Sequence, residues 1–150
     1  MQGSSSSGEV SQVQEAKNLL QDPDPTEELN QTLTKKAWCY LSQHAFETAI
    51  SHAERCIGLF KKNAEFEQAN LEKDEIPLPP TGPISKNIFA EVTKRGLLND
   101  VATCYYIVGE ANEKLGRFKA ATKAYKNVLA FPHARCWDPG PNHHVKGWSA

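Results

Sequence analysis

Apolar and small residues recur along this chain at two identical sets of intervals. The first set is Ala37, Tyr40, Phe46, Ala49, Ala53 and Cys56; the second is Gly109, Asn112, Phe118, Ala121, Tyr125 and Val128. Both advance by three, six, three, four and three residues. Steps of three and four keep side chains on one face of a helix, and the step of six crosses a turn. Each set therefore predicts two helices folded back on each other. Ala37, Ala49, Gly109 and Ala121 would allow close backbone approach, and Phe46 and Phe118 would fill the elbow.

Elsewhere the same pattern predicts further helices. Val10, Val13, Ala16 and Leu20 mark an amphipathic helix over 9–20, after a Gly/Ser-rich stretch at 1–8 that is expected to be disordered. In Asp22-Pro23-Asp24-Pro25, Asp24 is a good N-cap, Pro25 suits a first helical turn and Glu27 completes a capping box. A helix running through Leu29, Leu33, Ala37 and Leu41 follows. Its partner starts near Ala45 and continues to about Glu72 on the stripe Ile57, Phe60, Ala64 and Leu71. Pro77, Pro79, Pro80 and Pro83 then exclude helix, Ser85 caps a short helix to Arg95, and Gly96 is expected to end it. Helices near 98–115 and 118–130 form the second hairpin, and the tail 133–150 reads as irregular.

The spacing resembles the tetratricopeptide repeat, a helix-turn-helix unit of about 34 residues. Tyr105, Val108 and Gly109 stand where that family places Trp, Leu and Gly. Leu115-Gly116-Arg117-Phe118 matches its turn, and Pro132 lies near the end of the second helix. Asn112 replaces an aromatic residue, and Gln43-His44 replaces the Leu-Gly of the first turn. The resemblance implies an all-α helical-hairpin array over 9–132, with repeats near 30–63 and 102–135 and extra helices flanking and inserted between them. The insertion covers 64–101, because the two copies are 72 residues apart.

In that family the first helix of each repeat lines a concave groove for a peptide. By register, the groove residues here would be Gln31, Thr34, Lys35, Trp38, Leu41 and Ser42, then Thr103, Tyr106, Ile107, Glu110, Glu113 and Lys114. Trp38 and Tyr106 are the expected anchors, since rigid aromatics dominate binding hot spots. Members that grip a chaperone's terminal carboxylate use Lys, Arg and Asn in the groove. Trp38, Glu110 and Glu113 occupy much of that surface here, which disfavours the clamp and suits an apolar ligand carrying positive charge. The resemblance implies a protein-binding module and no enzyme. The alternative is a self-assembling subunit whose repeat ends stack head to tail into an oligomer or filament.

Composition changes this picture little. The formal net charge of −1 gives no general pull toward nucleic acid or an anionic membrane. Without an apolar run of membrane-spanning length or a secretory leader in the chain as given, the expected location is cytoplasmic. Cys39, Cys56, Cys104 and Cys136 form no CxxC pair and read as reduced thiols. Lys119, Lys123 and Lys126 share a helix face without interleaved aromatics and read as solvated. The two PxxP spacings over 77–83 read as a stiff connector. His133, Cys136, Asp138, His143 and His144 are metal-ligand types, but their spacing matches no standard zinc pattern. No phosphate loop, HExxH or GxSxG motif is present. No cofactor and no metal are expected.

Overall fold

The computed structural model describes residues 29–137 and 145–147. The expected disordered stretch at 1–8 and helix at 9–20 lie outside these residues, as do Asp138, His143 and His144. Five helices carry the described chain: α1 (Leu29–Ser42), α2 (Phe46–Lys73), α3 (Lys86–Thr93), α4 (Gly96–Lys114) and α5 (Phe118–Val128). Two three-residue strands follow, β1 (Arg135–Trp137) and β2 (Val145–Gly147), paired antiparallel with Cys136 opposite Lys146.

Buried positions explain the helices directly. Leu29, Leu33, Ala37 and Leu41 repeat every four residues and turn α1 inward. In α2, Ala49, Ile50, Ala53, Cys56, Phe60, Ala64 and Gln68 continue a single inward stripe over more than five turns. That helix stops at Asp74-Glu75, where Glu75 takes a left-handed backbone (φ 55°) and the Ile76 N–H closes on the Leu71 carbonyl at 3.0 Å. The Ser85 hydroxyl accepts the Ile88 N–H at 3.3 Å and starts α3 as expected. Gly96 does not end that helix. It opens α4, and Lys94 and Arg95 alone make the corner.

Helix α4 is the centre of the molecule, packed by α1, α2, α5 and β1. It is buried at Leu98, Val101 to Tyr105, Ile107 to Gly109, Ala111 and Asn112, leaving little of its circumference to water. Gly109 lies against α5 so tightly that a Cβ there would come within 2.5 Å of the Tyr125 ring. The two hairpin turns both need one left-handed residue: Gly116 (φ 77°) joins α4 to α5, and His44 (φ 61°) joins α1 to α2.

Two expectations fail here. The start of the tail is ordered, with Phe131, His133, Ala134 and Arg135 all buried. His133 Nε2–H donates to the Ile76 carbonyl (2.7 Å), and its Nδ1 accepts from the Gln68 amide (2.7 Å). The Arg135 guanidinium donates to the carbonyls of Pro132, Ala134 and Pro79. These two side chains pin the proline loop by donating to carbonyls at Ile76 and Pro79. Phe118 also fails to fill an elbow. Phe46 is half-buried and packs on the core, whereas Phe118 is 67% exposed, with no further helix among the described residues covering the α4–α5 hairpin there.

Candidate functional site

Where α1 and α4 run side by side, their C-terminal halves and the α1–α2 turn enclose a cleft of about 290 Å³. Trp38, Leu41, Ser42, His44, Phe46, Glu110 and Lys114 line it. Trp38 comes from α1 because Leu33, Ala37 and Leu41 fix the buried face, which leaves position 38 at the edge of the seam. Glu110 and Lys114 sit one turn apart on the last third of α4. His44 is held over the cleft by its left-handed backbone, its ring edge-on to Phe46 at 5.6 Å. A non-glycine residue in that conformation carries strain of about 1 kcal/mol or more.

The aromatic lining continues beyond the cleft as a ladder across three helices. Trp38 and Tyr106 have ring centroids 6.1 Å apart, tilted by 48°, and Tyr106 and Tyr125 are 5.9 Å apart, tilted by 49°. The Tyr125 hydroxyl donates to Glu113 Oε2 at 2.7 Å. Burial first, and then Glu113, push the Tyr125 phenol up; burial and Glu110 do the same to Tyr106. Both phenols therefore stay protonated as donors, while Glu110 and Glu113 give this surface a negative edge.

Five residues expected in a groove meet at the cleft: Trp38, Leu41, Ser42, Glu110 and Lys114. Tyr106 and Glu113 lie on the adjoining ladder. Gln31 and Lys35 are exposed on α1, one to two turns before Trp38. Thr34, Thr103 and Ile107 do not line any open surface, being 5%, 4% and 0% exposed. Thr34 donates to the Asn30 carbonyl (2.7 Å) and sits between the sulfurs of Cys56 (3.8 Å) and Cys104 (3.4 Å). These three positions are consumed by the packing of α4 against its neighbours. Sequence reasoning missed His44 and Phe46 as lining residues. The signal for His44 was present, since a histidine stands where the second turn has Gly116.

Beneath the ladder is a polar seam. Asn30 donates to Asp100 Oδ2 at 2.8 Å, tying the first turn of α1 to the first turn of α4. Burial pushes the Asp100 carboxyl up to about 6, against the opposing pull of the Asn30 hydrogen bond and the Lys35 charge. Its hydrogen bond to Cys56, together with burial, holds the Cys104 thiol protonated. No disulfide joins Cys39, Cys56 or Cys104.

Among the described residues no group of three or more His, Cys, Asp or Glu could hold a metal, and no helix is long and apolar enough to cross a membrane. Neither family models, curated proteins nor solved structures contain a match to this chain.

Proposed function

We propose that this chain is a protein-interaction module of tetratricopeptide type that holds a peptide in the cleft between α1 and α4. The observation that carries the reading is the cleft itself. Trp38, Leu41 and Phe46 of the first hairpin converge there opposite the charged side chains Glu110 and Lys114 of the second. The identical register of the two hairpins supports the family assignment. So does the packing order, with α4 lying against both helices of the preceding hairpin.

The cleft volume suits one or two side chains, and the aromatic ladder beyond it extends the contact along a peptide. Its negative edge favours a peptide with an apolar anchor and a basic neighbour, since cations are attracted both to carboxylates and to aromatic faces. Because helices supply all the walls except the α1–α2 turn, little of the receptor has to be ordered on binding. A displayed random-peptide library selected on the chain tests this. Peptides enriched for an apolar residue next to Lys or Arg are expected, with affinity falling at least about tenfold in Trp38→Ala while helical content is unchanged. Equal affinity in that variant would remove the cleft from the account.

A second reading is self-assembly through the open end of the α4–α5 hairpin. It is favoured by Leu115 and Phe118, which are 37% and 67% exposed side by side at the turn. Light scattering across concentrations separates the two readings. Growth that Phe118→Ser abolishes supports assembly, and constant monomer mass removes it.

A further inference from the structure

The back of α2 carries a surface that the cleft does not use. Leu59 and Phe66 are 50% and 70% exposed and lie seven residues apart, which is two turns and nearly the same azimuth. Arg55, Lys62 and Lys73 are exposed on the same side, at intervals of seven and eleven residues, about two and three turns. The acidic residues Glu47, Glu54, Glu65 and Glu72 form a separate stripe about a quarter-turn away. Apart from Lys61, which pairs with Glu65 in the acidic stripe, the longest helix keeps these charges apart, and its two most exposed large apolar side chains sit in the basic sector.

These apolar residues fall where α2 has lost its hairpin partner. The Asn30 carbonyl, in the first turn of α1, lies 3.9 Å from Cys56 Sγ. Since α1 runs antiparallel to α2 and begins there, the half of α2 beyond Ile57 has no α1 beside it. Leu29, the first described residue, therefore lies next to this uncovered half. Residues 9–28 hold six acidic residues and one lysine, and the stripe Val10, Val13, Ala16 and Leu20. Residues 21–28 could span up to about 28 Å, more than enough to pass around a helix some 10 to 12 Å across.

We infer that residues 9–20 of the same chain dock on the back of α2, laying Val10, Val13, Ala16 and Leu20 over Leu59 and Phe66 and bringing their acidic neighbours towards Arg55, Lys62 and Lys73. A second copy is a poorer occupant. In a two-fold antiparallel pairing of α2 helices, equivalent edges face each other, so the basic edge would meet its own copy. The docked segment would extend the helical layer past α1 and lies apart from the peptide cleft.

Two measurements on the full chain test this. Lys17 is the only tryptic site before Lys35. Cleavage after Lys17 is expected to be at least tenfold slower in the native chain than in Leu59→Ser/Phe66→Ser, whose substitutions are on the surface and leave the helical signal unchanged. Carbodiimide coupling of a mixture of ¹⁴N and ¹⁵N chains is expected to join carboxylates of 9–28 to Lys62 or Lys73 within one chain. The Lys61–Glu65 pair, 3.7 Å apart, serves as the internal control. Equal cleavage rates, or a working control without those cross-links, would overturn the inference. Cross-links found only between isotopically different chains would overturn it too, by making a second copy the occupant.

Discussion

The two hairpins repeat one spacing, yet matched positions sit in opposite surroundings. Gln31 and Lys35 on α1 are exposed, while their counterparts 72 residues later, Thr103 and Ile107, are 4% and 0% exposed. Phe46 is packed on the core and its counterpart Phe118 stands in water. The register is the same; the neighbours differ. Helix α1 is an edge helix touched by α2 and α4, whereas α4 is enclosed by α1, α2, α5 and the strand that follows. Conversely the second elbow is exposed, since among the described residues no third hairpin lies on it. A repeat fixes which side of a helix faces its own hairpin, but the rest of the circumference belongs to whatever comes next.

The strongest way to break this comparison is to truncate one matched pair. Ile107→Ala is expected to cost about 2 to 5 kcal/mol, as for other fully buried aliphatic residues, whereas Lys35→Ala should stay within about 0.5 kcal/mol. Urea unfolding of both variants reads the difference. Similar costs would mean that α4 is not the enclosed helix.

Next in size is the seam that joins the hairpins. Asp100 has a folded-state value of about 6 against an ordinary 3.8, so the folded chain holds this proton more tightly than the unfolded one. Its contribution is therefore most favourable below the ordinary value and declines as pH rises from about 4 through about 6. At 1.36 kcal/mol per unit the loss is on the order of 2 to 3 kcal/mol. Asp100→Asn keeps an oxygen for the Asn30 amide and removes the buried charge. It should raise stability near pH 7.5 by about 1 to 2 kcal/mol and make little difference near pH 4. Denaturation at both values checks the sign; an equal or larger gain at pH 4 would contradict it.

The smallest effect sharpens the comparison of the two turns. Gly116→Ala places a Cβ at φ 77° and should cost about 1 kcal/mol. His44→Gly removes the same kind of strain and should gain up to about 1 kcal/mol, less whatever the His44–Phe46 ring contact contributes. Opposite signs in thermal unfolding would show that the first turn retains a strained histidine where the second has relaxed. If the His44→Gly variant also loses peptide affinity, the His44 ring that lines the cleft, or the backbone that holds it there, serves binding.

Much of the fold was legible because helical periodicity is a local property. The spacing of Leu29, Leu33, Ala37 and Leu41 marks α1, and the Pro77–Pro83 run with Ser85 marks the break and restart before α3. The candidate site was legible only in part. Trp38, Leu41, Ser42, Glu110 and Lys114 could be placed by register, since the face of a helix follows from spacing. The burial of Thr34, Thr103 and Ile107 could not, because it depends on a second and third helix arriving from distant sequence. The roles of His133 and Arg135 were not legible for a related reason: their polarity says only that they need hydrogen-bond partners, and the proline loop supplies those from more than fifty residues away.

By themselves, interactions within a few residues marked α1 to α5, their inward faces and the two turns at His44 and Gly116, though not that Gly96 opens α4. Tertiary structure alone decided which of those faces remained open. That α4 became the centre, that Phe118 was left uncovered and that Trp38, His44 and Phe46 converged on one cleft all follow from the order in which helices stack. Side-chain burial is a property of the assembled layers, and a single helix cannot encode what will lie against its other side.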